Sequence, residues 1–141
     1  MLKNKRYILL VLGLLLSVVV GFYNMGEIME AGEYSLLTMV LSVIVYIYWL
    51  GYSICRVSKS DKPKDTLIGI SSGIIIVAAL TLIFPRITYS FIGFITYWSL
   101  GGIFAAVKGL MPDIVIYMLV HLLLIVILLC VYMLKKKNTK A

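Results

Sequence analysis

Three polar residues share one face of the last hydrophobic stretch of the chain: Asp113, Tyr117 and His121. They follow one another at intervals of four residues, and residues at that spacing lie one above the other on an α-helix. His121 would lie about 12 Å below Asp113, because an α-helix rises about 1.5 Å per residue. Since histidine changes charge near physiological pH, this polar face could carry a proton or a cation, or contact a lipid headgroup.

The same face also has a structural interpretation. A neutral histidine can form a hydrogen bond with a neighbouring helix, and Asp113 can stabilise a helix start because carboxylates favour the positive end of the helix dipole. Ionisable groups inside a membrane span are costly and commonly face a bundle interior or a cavity. In either role, we expect the face to point inwards, towards Tyr97 and Trp98 of the preceding segment.

No other arrangement of residues in the sequence is typical of catalysis or metal binding. The chain has one histidine, and its two cysteines, Cys55 and Cys130, come without further ligands, so neither a zinc site nor a disulfide framework is indicated. The sequence also lacks a nucleophile–base pair, a phosphate-binding glycine loop and a carboxylate pair at catalytic spacing. We expect a protein that is not an enzyme and that uses no metal or cofactor.

The composition places these residues in a membrane protein. Hydrophobic residues make up 62% of the 141 residues and the mean hydropathy is +1.07, and a soluble domain of this size could not bury so much apolar surface. The net charge of +7 arises from basic residues in short segments that flank apolar runs. That pattern is a topology signal and does not indicate nucleic-acid binding.

Four apolar stretches are long enough to cross a bilayer, since a transmembrane helix needs about 20 apolar residues. They cover approximately residues 7–23, 34–55, 66–84 and 113–134. A fifth stretch, residues 87–107, is also long enough, but glycine, serine and threonine dilute it. The sequence therefore predicts an all-α integral membrane protein with a single membrane domain and either four or five transmembrane helices.

The distribution of basic residues favours four spans. With four spans and both termini inside, only Arg86 and Lys108 of the 13 basic residues are external. A fifth span would move the lysine-rich C-terminus outside, against the positive-inside rule. We therefore expect cytoplasmic termini in a plasma membrane, with residues 87–107 forming a re-entrant or interfacial segment in the outer leaflet.

Two of the spans carry small residues on one face. In the first span, Gly13, Ser17 and Gly21 recur every four residues. In the third span, Gly69 and Gly73 form a GxxxG pattern. Small residues let helix backbones approach closely in lipid, so we expect these two faces to pack against each other within the chain. A dimer contact through the first face is the alternative.

An external loop is expected between the first two spans, over residues 24–33. It carries three acidic residues, Glu27, Glu30 and Glu33, and no basic residue. A helical turn would place the three carboxylates on one side, where they could attract a cation or a basic partner. A solvated loop is the simpler alternative.

Two classes of function are compatible with these features. The first is a small accessory, regulatory or immunity-like subunit that docks on a larger membrane protein or forms a homo-oligomer. The second is a small transporter, or a membrane protein that binds an ion or a lipophilic ligand through the polar face of the last helix. Four aromatic residues of the second span could form either an interfacial belt or a wall for such a ligand: Tyr46, Tyr48, Trp49 and Tyr52. The lipid bilayer is the partner common to both classes, and nucleic acid belongs to neither.

Overall fold

The computed structural model describes residues 2–84, 86, 91–106 and 113–140, and all regular secondary structure in these ranges is helical. The long helices are α1 (Leu2–Ala31), α2 (Leu36–Ser58), α3 (Pro63–Ile83) and α6 (Asp113–Lys140). Between α3 and α6 lie two short helices, α4 (Phe91–Thr96) and α5 (Gly101–Ala106), which a 3-10 turn at Trp98–Leu100 separates.

Four helices are long and apolar enough to cross a membrane: Tyr7–Ala31, Leu36–Ser58, Pro63–Ile83 and Val115–Asn138. A helix suits lipid because it satisfies its backbone N–H and C=O groups within its own segment. The prediction of an all-helical membrane protein with four helices of spanning length is therefore confirmed. Residues 87–90 and 107 of the expected outer segment, and also Lys108, lie outside the described part of the chain.

The first helix is longer than the sequence indicates, because most of the expected loop at residues 24–33 is helical. It ends where Gly32 adopts a left-handed conformation with a φ of 70° and donates its N–H to the carbonyl of Ile28 at 3.1 Å. Glycine favours such a helix end since it has no Cβ to clash. The connection to α2 is consequently a tight turn.

One of the three acidic residues of this region takes part in the turn. Glu27 accepts a hydrogen bond from the backbone N–H of Ser35 at 2.9 Å, and Ser35 is the N-cap of α2. Glu30 and Glu33 are exposed. Glu27 therefore helps to position the start of α2.

The second helix is the centre of the bundle, because it packs against α1, α3 and α6. Helix α6 also packs against α3.

Two buried apolar clusters hold these contacts together. The first consists of Val20, Val45, Leu100, Ile116 and Tyr117. The second consists of Val57, Leu67, Leu124 and Leu128. At the end of the bundle near the second cluster, Lys135 donates hydrogen bonds to the carbonyls of Ser58 and Ser60, both at 2.7 Å.

The segment between α3 and α6 packs back onto the bundle. Helix α4 and the 3-10 turn contact α1, and α5 contacts α2. A side chain at Gly102 would collide with the backbone of Thr38 and Met39 on α2, so glycine permits this close approach. The glycines that make this segment less hydrophobic are thus partly explained by helix packing.

The small-residue face of the first span packs within the chain, but against a different helix from the one expected. Gly13, Ser17 and Gly21 are buried, and a Cβ at Gly13 would meet the rings of Tyr48 and Trp49 on α2. Among the described residues, α1 and α3 form no extensive contact with each other. This corrects the expectation of an α1–α3 contact: aromatic side chains of α2 fill the space above the small residues.

Candidate ligand-binding cavity

A cavity of about 550 Å³ lies among α2, α3, α4 and α6, with Leu10 of α1 at its edge. This volume is within the usual range of small-molecule sites, about 300–1,000 Å³. Most of the lining is apolar. The largest contribution comes from α2 and α3, which supply an aromatic side and a glycine side.

The aromatic side is formed by Tyr46, Trp49 and Tyr52 of α2. Residues three apart lie on the same face of a helix, and the rings of Trp49 and Tyr52 meet edge to face with centroids 5.8 Å apart. Tyr46 donates its hydroxyl hydrogen to the carbonyl of Val120 at 3.1 Å. Trp49 donates its Nε1–H to Ser17 Oγ at 2.7 Å. Both polar atoms are satisfied by the protein, so these side chains offer mainly ring surface to the cavity.

Tyr48 belongs to a different surface, although the sequence groups it with the other three aromatic residues. Its hydroxyl donates a hydrogen bond to the carbonyl of Leu9 on α1, and its ring lies above Gly13. Tyr48 thus joins α1 to α2, while its three neighbours line the cavity. The four aromatic residues are therefore divided between packing and the candidate site.

The glycine side of the cavity is formed by Gly69 and Gly73 of α3. A Cβ built on either residue would have no atom within 4 Å, and both residues are exposed. Within the described structure the GxxxG pattern is therefore not a helix-packing face, which corrects the sequence-based expectation. The two glycines instead widen the cavity opposite the aromatic side.

His121 extends the lining onto α6, near Ile95 and Thr96 of α4. Its Nδ1 lies 2.8 Å from the carbonyl oxygen of Tyr117. A carbonyl oxygen only accepts hydrogen bonds, so Nδ1 carries the proton in this contact. The histidine is therefore partly engaged within its own helix and still contributes to the cavity surface.

The sequence-predicted site residues form a row of aromatic rings. The ring of Tyr117 lies 4.4 Å from that of His121 and 5.7 Å from that of Tyr97, and Tyr97 lies 5.5 Å from Trp98. Of these four, His121 lines the cavity, whereas Tyr117 is buried in the first apolar cluster. Asp113 begins α6, but its side chain lies outside the described part of the chain.

A buried polar group that sequence reasoning missed fastens the middle segment to the bundle. Asn24 is fully buried, and its Nδ2 donates to Ser42 Oγ at 2.9 Å and to the carbonyl of Trp98 at 2.7 Å. Ser42 Oγ also accepts the backbone N–H of Gly102 at 3.0 Å. The sequence spacing could have indicated that Asn24 is buried, because Asn24 follows Gly21 by three residues and thus continues the small-residue face of α1.

Arg56 lies in the last turn of α2 and is half-buried. Among the described residues that line the cavity, it is the one permanently charged side chain. No group of three His, Cys, Asp or Glu side chains in the described ranges could hold a metal ion. The arrangement is therefore suited to holding an apolar molecule with one anionic group.

Neither protein-family profiles, nor curated protein sequences, nor solved structures give a match to this chain. The class of protein thus follows from the fold: a helical bundle with four helices of spanning length around an apolar cavity.

Proposed function

We propose that this chain is a small multi-pass protein of the cell membrane that binds a lipid-like molecule between α2, α3, α4 and α6. One observation carries the proposal: the aromatic side of α2 and the two open glycines of α3 border the same unfilled volume. The volume of about 550 Å³ is a groove that opens to the surroundings of the bundle, because Gly69 and Gly73 are exposed. A groove with one aromatic side and one side of bare backbone can take up an extended apolar molecule.

The chemistry of the lining indicates the kind of ligand. A molecule that arrives from lipid gains little from the hydrophobic effect, since lipid tails are as apolar as the cavity. Affinity must then come from van der Waals packing and from a few polar contacts. An extended acyl or isoprenoid chain suits this lining best. It can lie against the flat rings of Tyr46, Trp49 and Tyr52 on one side and against the backbone at Gly69 and Gly73 on the other.

The membrane arrangement belongs to the same proposal. Both termini would face the cytoplasm, because eleven of the 13 basic residues then lie inside, as the positive-inside rule favours. Residues 87–107 would enter the outer leaflet as a re-entrant segment, whose irregular backbone must be satisfied by protein. Asn24 donates a hydrogen bond to the Trp98 carbonyl of this segment, and Ser42 Oγ accepts one from the Gly102 N–H; both contacts support that arrangement.

Cysteine labelling in sealed cells tests the arrangement. The variants carry Thr139→Cys or Glu33→Cys in a background where Cys55 and Cys130 are alanine. An impermeant thiol reagent should label the cysteine at position 33, which lies in the turn between α1 and α2. Labelling at position 139 from outside would instead support five spans.

An accessory, regulatory or immunity-like role is the second candidate, and the sequence-based case for it relied partly on two faces of small residues. One of these faces packs against α2 and is not free for docking. The other face, at Gly69 and Gly73, is exposed but borders the cavity, so a partner helix there would compete with a lipid-like molecule for the same groove. We therefore rank ligand binding first. A discrete complex with a larger protein in blue-native electrophoresis of gently solubilised membranes would reverse that order.

Photo-crosslinking tests ligand binding directly. The full-length protein in nanodiscs is irradiated with a phosphatidylcholine that carries a diazirine on its acyl chain, and adducts are mapped by mass spectrometry. Adducts should concentrate on cavity residues such as Tyr46 and Ile74. Gly73→Leu should remove these adducts because its side chain would occupy the cavity.

Gly51→Leu is the matched control for this substitution. Gly51 also lies in a spanning helix with open space around its Cα, but it is not part of the lining. The control should leave the cavity adducts unchanged. An even spread of adducts over the lipid-facing residues, unaffected by Gly73→Leu, would contradict the proposed function.

A further inference from the structure

The cavity has a charged group at one end, and this asymmetry indicates which lipid it holds. We propose that the ligand is an anionic phospholipid whose phosphate binds the guanidinium of Arg56, with an acyl chain extending between the aromatic and glycine sides. The lipid would enter from the leaflet at the Arg56 end, which is the cytoplasmic leaflet in the four-span arrangement. This inference rests on the proposed function and specifies the ligand of the same cavity.

The positions of the lining residues match the shape of an amphiphile. Arg56 is ten residues beyond Tyr46 on α2, which corresponds to about 15 Å along the helix axis. Aromatic and glycine residues occupy the space between, and His121 and Ile95 lie in the part contributed by α6 and α4. A headgroup at the Arg56 end would thus place the chain along the apolar remainder of the cavity.

Arg56 is available to bind an anion. Within the described ranges no carboxylate forms an ion pair with it, and its side chain is half-buried. Charges that are withdrawn from water in proteins are normally paired, so a half-buried guanidinium is a suitable position for an anion. The guanidinium presents a planar fork of N–H donors that suits the oxygen atoms of a phosphate.

The surroundings of Arg56 also favour an anionic lipid. Lys59, Lys62 and Lys64 follow in the connection to α3 and at its start, and all three are exposed. Basic residues near a membrane surface attract anionic headgroups. Asp61 and Asp65 lie in the same stretch and are exposed too, so they reduce this attraction without removing it. A general attraction of anionic lipids by the loop would, however, not require Arg56. The experiment must therefore separate binding at Arg56 from attraction by the loop lysines.

Fluorescence quenching can report on the cavity directly because one of the two tryptophans, Trp49, lines it. A Trp98→Phe protein in nanodiscs leaves Trp49 as the single reporter. Its quenching is titrated with phosphatidylglycerol or phosphatidylcholine, each with brominated acyl chains. Both lipids carry the phosphate, but the choline cation of phosphatidylcholine offsets its attraction to Arg56. We therefore expect phosphatidylglycerol to bind about tenfold more tightly.

Three variants identify the source of this preference. Arg56→Gln should abolish the preference for phosphatidylglycerol. Arg56→Lys should retain part of this preference, because lysine keeps the charge without the planar fork. Lys62→Gln removes the same charge from an exposed residue outside the lining and should preserve it. An equal loss in Lys62→Gln and Arg56→Gln would overturn the proposal in favour of general attraction by the loop.

The outcomes also separate this inference from the proposed function. If Gly73→Leu relieves the quenching but both lipids quench equally, the cavity binds a lipid without regard to charge, and only this inference fails. If Gly73→Leu changes nothing for either lipid, the proposed function fails as well. Should Trp98→Phe prove unstable, native mass spectrometry of lipids retained by the wild-type, Arg56→Gln and Lys62→Gln proteins provides the same comparison.

Discussion

The side-chain amide of Asn24 donates a hydrogen bond to the backbone carbonyl of Trp98 at 2.7 Å, joining α1 to a turn 74 residues further along the chain. The carbonyl lies in the 3-10 turn between α4 and α5, where it also accepts the backbone N–H of Gly101. Asn24 therefore gives this carbonyl a second donor at the break between the two short helices, and the same amide also donates to Ser42 Oγ on α2.

Asn24→Ala should destabilise the protein because the Trp98 carbonyl and Ser42 would lose a donor. We expect a loss of roughly 1–2 kcal/mol in the free energy of unfolding, since two hydrogen bonds are removed at about 1 kcal/mol each. The Trp98 carbonyl keeps the N–H of Gly101, and Ser42 Oγ keeps the N–H of Gly102. Thermal unfolding in detergent, followed by size-exclusion fluorescence, measures the change. Asn138→Ala, at an exposed position of α6, is the control and should behave as wild type.

Gly102→Ala should displace α5 from α2. The added Cβ would collide with the backbone of Thr38 and Met39, and backbone atoms cannot move aside as a flexible side chain can. Overpacking of this kind costs about 1–3 kcal/mol, and movement of α5 would also break the hydrogen bond from Gly102 to Ser42. The control is Gly26→Ala, where the Cβ meets open space. Equal stability of the two variants would show that α5 does not pack closely on α2.

Leucine substitutions at Gly13 and Gly73 should have opposite consequences. Gly13→Leu would force the rings of Tyr48 and Trp49 away from α1 and lower thermal stability. Gly73→Leu enters open space and should leave stability unchanged or slightly higher, because leucine has a greater helix propensity than glycine. A comparable loss in both variants would indicate that Gly73 packs against another helix, either in this chain or in a second copy.

Substitutions at His121 and Tyr117 should separate binding from stability. His121 lines the cavity, so His121→Ala should reduce photo-crosslinking to the lipid probe with little loss of stability. Tyr117 is 1% exposed and belongs to the first apolar cluster, so Tyr117→Ala should cost about 3–5 kcal/mol, as deletion of a large buried side chain does. Unchanged crosslinking in a folded His121→Ala protein would show that the histidine does not contact the ligand.

The number of spanning helices could be predicted from the sequence because it depends on local properties. A run of about 20 apolar residues matches the thickness of the bilayer whatever its neighbours are. The end of α1 was less predictable: residues 24–31 contain acidic and polar groups that are typical of a loop. They are helical in the folded chain, where Asn24 finds its partners and Gly32 supplies the turn.

The pairing of the helices required the tertiary structure. In lipid an apolar face can meet either a neighbouring helix or a lipid tail at similar free energy, so hydropathy does not specify which faces meet. The small residues on these faces of α1 and α3 recur at the same interval of four residues. Nevertheless, Gly13 lies beneath Tyr48 and Trp49, whereas Gly73 borders a cavity.

The candidate site was visible in the sequence only as separate parts. The aromatic residues of α2 and His121 of α6 could be recognised as possible binding groups from their chemistry and helical spacing. That Tyr46, Trp49 and Tyr52 share one cavity with Arg56, Gly73 and His121 depends on the packing of α2 against both α3 and α6. Contacts between residues so far apart in the chain arise from side-chain fit, and a linear pattern of hydrophobicity does not contain that information.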